Sequence, residues 1–289
     1  MPQHQVRWLF HATAMVGDYV AARDSLVAIA GMHVLEDTEQ WQPEVGRRGG
    51  MTWIGDNSLE LGQPIVPGGG AARFVDRSGP GLHSIAVQVA DCGATIAHLE
   101  RRGIRVAARP SVDFIFSDPR DTGGVFIEWF SGELDFDPRF GAPTPPKSET
   151  ALLDIPQLAF VGAVVEDPIS LADDLAHLLE TEVTFRDAGA SPEAPAAGVS
   201  LGDCTLALFH LPTSQDSERL WGAIYPRPRT HLLGLRCDDV DAAAAKLAGA
   251  SAEVLRRDER SLVLHPDATG RVPVVITDDL LPGDPRLKA

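Results

Sequence analysis

Four times along the chain a strand-like apolar run is followed by a helical pattern and then by further strand-like segments. The first run, Val-Arg-Trp-Leu-Phe-His-Ala-Thr-Ala-Met-Val from residue 6, alternates loosely and predicts a strand with His11 at its middle. Asp18 then offers an N-cap, and Val20, Ala21, Leu26, Val27 and Ile29 recur at helical spacing as far as Gly31, a stop signal. Val34-Leu35 predicts a short strand. Met51-Thr52-Trp53-Ile54 and Ser58-Leu59-Glu60-Leu61 predict two more, joined by a Gly55-Asp56-Asn57 turn. In the last of these Leu59 and Leu61 share one face and Glu60 takes the other.

The same order returns after the loop Pro67-Gly68-Gly69-Gly70. A turn-forming cluster, Ser78-Gly79-Pro80-Gly81, launches the apolar strand that carries His83. A helix is predicted from Asp91 to Arg102, then strands at Arg105-Val106-Ala107, Phe114-Ile115-Phe116 and Gly124 to Phe130. Residues 136–156, rich in Pro, Gly and Asp, read as a linker, which divides the chain into domains at 1–135 and 157–289. The second half lies over the first: Leu158 to Val165 on the first strand, Gly202-Asp203-Cys204 on the Gly55 turn, Arg229 to Leu235 on the His83 strand, Asp239 to Leu247 on the second helix. Such a repeat predicts four similar βαβββ modules paired into two domains, an α+β fold.

Composition narrows the function classes. The 289 residues are 44% hydrophobic and 23% charged, as in globular proteins, and the length suits two ordinary domains. A net charge of −16 disfavours nucleic acid and anionic membrane surfaces as partners. Three scattered cysteines, Cys92, Cys204 and Cys237, make neither a disulfide framework nor a zinc site. No apolar stretch reaches the length of a membrane span and no leader pattern opens the chain, so a cytoplasmic protein is expected.

The candidate chemistry sits on the strands. His11, Glu60, His83 and Glu128 interrupt apolar runs (Phe-His-Ala, Leu-Glu-Leu, Leu-His-Ser-Ile, Ile-Glu-Trp) at the opening and closing strands of the first two modules. Burying an unpaired carboxylate costs several kcal/mol, so two of them call for a partner. If the modules pair about a pseudo-twofold axis the four side chains converge, and two imidazoles with two carboxylates suit a divalent metal such as Co²⁺, Ni²⁺, Mn²⁺, Fe²⁺ or Zn²⁺. The alternative is a pair of His–Glu ion pairs on a solvated sheet face. Arg47-Arg48 is either a solvated pair or a contact for a substrate phosphate or carboxylate.

The modular plan and these residues resemble the vicinal oxygen chelate superfamily, which includes glyoxalase I, methylmalonyl-CoA epimerase and the extradiol dioxygenases. Residues 43–130 are most similar to the epimerases, through Pro43-Glu44-x-Gly46, Leu59-Glu60-Leu61-x-x-Pro64, Ala72 to His83, and Asp118-Pro119-Arg120-Asp121-Thr122-Gly123-Gly124-Val125-Phe126-Ile127-Glu128. The resemblance implies curved mixed sheets around a cleft, a metal held by His11, His83 and Glu128 with Glu60 as the fourth ligand, and Glu60 or Glu44 moving a substrate proton. It implies a small-molecule substrate with a carbonyl or vicinal oxygens, and leaves room for a homodimer. Proton abstraction beside a metal-chelated carbonyl, in an epimerase, isomerase or lyase, is the leading expectation. An Fe(II) ring-cleaving dioxygenase and a non-catalytic small-molecule binder are the alternatives. Two departures stand out: Ser84 replaces the second His of the epimerases' Gly-Leu-His-His-Ile, and a second module pair follows. There the four ligand places are expected at Val161, Ala207, His231 and Val275, a set that cannot hold a metal, with His231 a core or cleft histidine.

Overall fold

The computed structural model describes residues 5–38, 46–222 and 227–288. The first half runs β1 (Val6–Met15), α1 (Tyr19–Ala30), β2 (His33–Thr38), β3 (Arg47–Ile54), β4 (Asn57–Pro64), α2 (Gly70–Ser78), β5 (Gly81–Val89), α3 (Cys92–Arg101), β6 (Val106–Ser111), β7 (Phe114–Ser117) and β8 (Ile127–Phe130). The second repeats it as β9 (Gln157–Val165), α4 (Pro168–Leu179), β10 (Val183–Arg186), β11 (Ala197–Ser200), β12 (Thr205–His210), α5 (Ser214–Trp221), β13 (Arg229–Arg236), α6 (Val240–Gly249), β14 (Val254–Arg257), β15 (Ser261–Leu264) and β16 (Val274–Thr277). Each half is one eight-stranded mixed sheet, ordered β2-β3-β4-β1-β5-β8-β7-β6 and β10-β11-β12-β9-β13-β16-β15-β14.

The four module helices start alike. Asp18, Asp91, Asp167 and Asp239 accept hydrogen bonds from Ala21, Ala94, Ser170 and Ala242, each satisfying an amide that the helix itself cannot. α2 and α5 link the modules and are additional to the βαβββ pattern. α2 has few apolar residues and begins at a glycine, so its periodicity is faint in the sequence.

In the first sheet, Leu59, Leu61, Ile85, Val87, Ile127 and Trp129 belong to one buried apolar cluster with Leu26 and Ile29 of α1 and Leu99 of α3. The intervening positions face the other way and carry the polar residues. The central pairing is β4-β1-β5-β8, with β1 parallel to β4 and antiparallel to β5. Two rows result across the polar face: His11 opposite Ala86, itself opposite Glu128, and Glu60 opposite Thr13, itself opposite Ser84.

The span that composition assigns to a linker contains a clamp. Arg139 donates to the carbonyls of Leu9 (2.8 Å) and Phe10 (2.6 Å) while paired with fully buried Asp137. Arg286 repeats this in the second half, donating to Leu158 and Ala159 from beside buried Asp284. Two Asp-Pro-Arg turns therefore close the two sheets in the same way. The repeat is present in the sequence, at residues 137–139 and 284–286.

Candidate metal centre

His11, Glu60 and Glu128 meet on the polar face of the first sheet, each no more than 5% exposed, with one donor atom from each within 4.8 Å of the others. This is not the solvated sheet face of the alternative reading. Ala86, between His11 and Glu128 in the row, has only a methyl group, so the imidazole reaches over it: His11 Nε2 lies 3.5 Å from Glu128 Oε2 and 3.7 Å from Glu60 Oε2. Thr13 stands between the carboxylates, its hydroxyl 3.1 Å from Glu60 Oε2 and 3.2 Å from Glu128 Oε1. Arg47 caps the group, its buried guanidinium donating to Glu60 Oε1 at 2.7 Å.

His83 is not among the clustered donors. The register of β5 on β1 slips between Thr13/Ser84 and Ala14/Leu82, so a bulge falls at His83. Ser84, not His83, therefore stands opposite Thr13, and its hydroxyl donates to Glu128 Oε1. His83 turns to the side, its Nδ1 2.9 Å from Ser84 Oγ and its ring edge-on to Phe74 (4.7 Å) and Phe126 (4.9 Å). Of the four residues expected to converge, three cluster and Ser84 stands at the fourth place. Glu44 lies outside the described residues.

The electrostatics follow from burial and neighbours. Burial pushes the Glu128 carboxyl up, but His11, Arg47 and the Ser84 hydroxyl together outweigh it and hold it below the ordinary carboxylate range, so it is a carboxylate at neutral pH. Burial pushes His83 down to about 4 against the pull of Glu128, leaving a neutral ring.

A divalent cation, the group that the resemblance implies, fits this donor set. Both ring nitrogens of His11 and Oε2 of Glu128 are buried without a hydrogen bond among the described residues. Nε2 faces that oxygen at 3.5 Å, too long for a strong hydrogen bond yet suited to sharing one ion.

The second half lacks the chemistry. Strand pairing places Phe160, rather than the expected Val161, at the position of His11, because Gly162 pairs with Ala207 as Thr13 pairs with Glu60. Ser84 corresponds to Leu232 and Glu128 to Val275. Phe160, Ala207, Leu232 and Val275 belong to one buried apolar cluster with Phe209 and Trp221. His231 is the counterpart of His83, buried edge-on against Trp221 at 4.5 Å, and burial holds it far below the ordinary histidine range. A histidine packed against the linking helix's aromatic, Phe74 or Trp221, is thus common to both halves.

Beside the cluster opens a cavity of about 1030 Å³ between the halves, with Arg47 and His83 in its wall. α2, the β5 start and β7 form one side; Ser170 and Leu171 of α4 and Pro228 form the other.

Comparison with known proteins agrees with this architecture. A family model of the Glyoxalase/Bleomycin resistance protein/Dioxygenase superfamily matches residues 10–115, within the first half of the chain. A triple mutant of 4-hydroxymandelate synthase from Streptomyces coelicolor has a similar fold over 94% of this chain and 92% of its own, at 17% identity and a TM-score of 0.65. Methylmalonyl-CoA epimerase from Mycobacterium tuberculosis is 25% identical over 45% of this chain and 91% of its own, with a TM-score of 0.41. No curated protein matches by sequence.

Proposed function

We infer that the protein is a metal-dependent enzyme that moves a proton beside a carbonyl of a small substrate bound between its two halves, as an epimerase, isomerase or lyase. The observation that carries this reading is the convergence of one imidazole and two carboxylates, all buried, next to the cavity. His11, Glu60 and Glu128 would hold the ion. Bound there, it supplies Lewis-acid polarisation of a carbonyl. With a single imidazole the donor set is oxygen-rich, which makes it less selective for Zn²⁺ or Ni²⁺ over Mn²⁺ than a two-imidazole set would be. It also departs from the two-histidine, one-carboxylate set of non-haem iron oxygenases, so ring cleavage ranks second.

Glu60 is the candidate proton carrier. Arg47 fixes one of its oxygens and Thr13 the other, so its plane is set before substrate arrives. Arg47 touches both Glu60 and the cavity, and can orient an electronegative substrate group towards that carboxylate. The neighbouring wall of half-buried phenylalanines excludes water, which strengthens these interactions.

Two measurements test the reading. Protein purified without chelator should contain close to one equivalent of a divalent metal, and His11→Ala or Glu128→Ala should reduce it below ~0.1 equivalent. Solvent deuterium should enter the α-position of a carbonyl substrate, methylmalonyl-CoA being one to try, and Glu60→Gln should slow that exchange by ~100-fold or more. A wild-type protein that takes up no metal, or Glu60→Gln with undiminished exchange, overturns it.

A further inference from the structure

The wall of the cavity is unusually aromatic for this chain. Phe114 and Phe116 sit on β7, flanking buried Ile115, so both face the cavity side of the sheet. Phe116 pairs directly with Glu128 across to β8, which puts it on the same face as the carboxylate cluster. Phe126 precedes that glutamate by two positions, as alternation along the extended chain requires for a shared face.

These rings form a chain of contacts. Phe114 meets Phe116 at 4.6 Å, Phe116 stacks on Phe126 at 5.0 Å, Phe126 meets His83 at 4.9 Å, and His83 meets Phe74 of α2 at 4.7 Å. The guanidinium of Arg229 covers the far side of Phe74, its carbon 4.7 Å from the ring centre. Every ring in the series is only half-buried, unlike Phe10, Phe160 and Phe209, which are in the interior. Packing alone gives no reason to leave four phenylalanines facing one cavity, since each would be more stable fully covered. The second half does not copy the wall: strand pairing puts Ser261 at the place of Phe114 and buried Val263 at the place of Phe116, so neither position there is aromatic.

Charge in the same cavity adds the second element. Arg73 and Arg77, on exposed positions of α2, donate to the backbone carbonyls of Gly68 and Arg73, and neither has a carboxylate within ion-pair distance among the described residues. The carboxylates in the lining lie elsewhere, Asp118 paired with Arg120, and Glu166, Asp167 and Asp174 at the start and along α4 in the other half. In a chain of net charge −16 the α2 side, with two cations that have no acidic partner among the described residues, is therefore the place for an anion.

We propose that the cavity binds a substrate with a flat aromatic body and an acidic group, the ring on the Phe114-Phe116-Phe126-His83 wall and the anion towards Arg73 and Arg77. This deepens the proposed function and rests on it only for the position of the reacting carbon. Ring-on-ring contact favours an aromatic group over a saturated ring of equal size, because the partners offer complementary faces and edges.

Calorimetric titration of the full chain with phenylacetate, cyclohexylacetate and 2-phenylethanol separates the terms. Phenylacetate is expected to bind at least ~5-fold more tightly than cyclohexylacetate. 2-Phenylethanol, which lacks the charge, is expected to bind ~10-fold more weakly than phenylacetate, as is phenylacetate to the double variant Arg73→Ala/Arg77→Ala. Phe126→Leu should abolish the preference for the aromatic ring while binding of cyclohexylacetate persists, which shows that the variant is folded. Equal affinity for the two acids, or no saturable binding of phenylacetate, overturns the inference. Metal content measured on the same preparations keeps the two readings apart. Bound metal without aromatic preference defeats only the substrate class, whereas aromatic preference in a protein that takes up no metal defeats only the metal-dependent reading.

Discussion

At the scale of single residues, the substitution that decides most is Ser84. It stands opposite Thr13 and bonded to Glu128, where a second imidazole would join the His11–Glu60–Glu128 cluster proposed to hold a metal. Ser84→His should therefore add a ligand and shift preference towards imidazole-seeking metals. Competition with a chromophoric chelator should show Ni²⁺ or Zn²⁺ held ~10-fold or more tightly than by wild type, with a smaller change for Mn²⁺. No change in that order would mean that the serine does not face the ion. His11, Glu60 and Glu128 were legible in the sequence because each breaks an apolar alternation and cannot be buried without a partner. His83 breaks the alternation too, and so looked like the fourth. What placed it one position off is a β-bulge, a local register slip with no residue signature of its own here. The counterpart His231 makes the same point, since it too is held edge-on against an aromatic from the linking helix.

At the scale of elements, the strands and module helices follow from periodicity and from aspartate caps, whereas the connections carry what the pattern does not show. The turns at Gly55 and Gly202 read as ordinary hairpin turns. In the structure each presses on the first strand of the other half. A β-carbon on Gly55 would lie 2.6 Å from the amide nitrogen of Gln157, and one on Gly202 would lie 2.2 Å from the carbonyl oxygen of Arg7. Both glycines also have positive φ, 61° and 97°. Gly202→Ala thus combines a backbone clash with a strained conformation and should cost ~2 kcal/mol or more. Thermal melting should show a lowered Tm with the far-UV circular dichroism of the folded protein unchanged; an unaltered Tm would contradict the close approach. The Asp-Pro-Arg clamp makes a parallel case. Arg139→Ala leaves fully buried Asp137 without its guanidinium and frees the Leu9 and Phe10 carbonyls, a loss of ~3–5 kcal/mol read from urea unfolding. Arg139→Lys, which cannot reach both carbonyls in a planar fork, should recover only part of it.

At the scale of the whole molecule, the repeat visible in the sequence becomes a reciprocal joint. Asp203, in the turn of the second half, accepts from the Leu9 amide at 2.8 Å, and Asp56, in the equivalent turn of the first, accepts from the Leu158 amide at 2.8 Å. The period of the repeat announces that two such turns exist. It does not announce that they are exchanged, because contacts between halves depend on packing that no local pattern encodes. Burial makes this joint responsive to pH: it pushes the Asp203 carboxyl up from 3.8 to about 6, against the Leu9 amide and Arg139, which pull it down. A group whose folded pKa is raised binds its proton more tightly in the native state. Between pH 4 and pH 6 the folded protein therefore carries more protons than the unfolded chain, and Asp203 makes stability fall as pH rises through that window, with the full loss present above it. Asp203→Asn keeps an oxygen to accept from Leu9 and removes the ionisation. Its Tm should match wild type near pH 4 and exceed it by about several degrees at pH 7. The difference between the two proteins cancels every other group that titrates in the range, so parallel Tm curves from pH 4 to pH 7 would show that the joint carries no such proton.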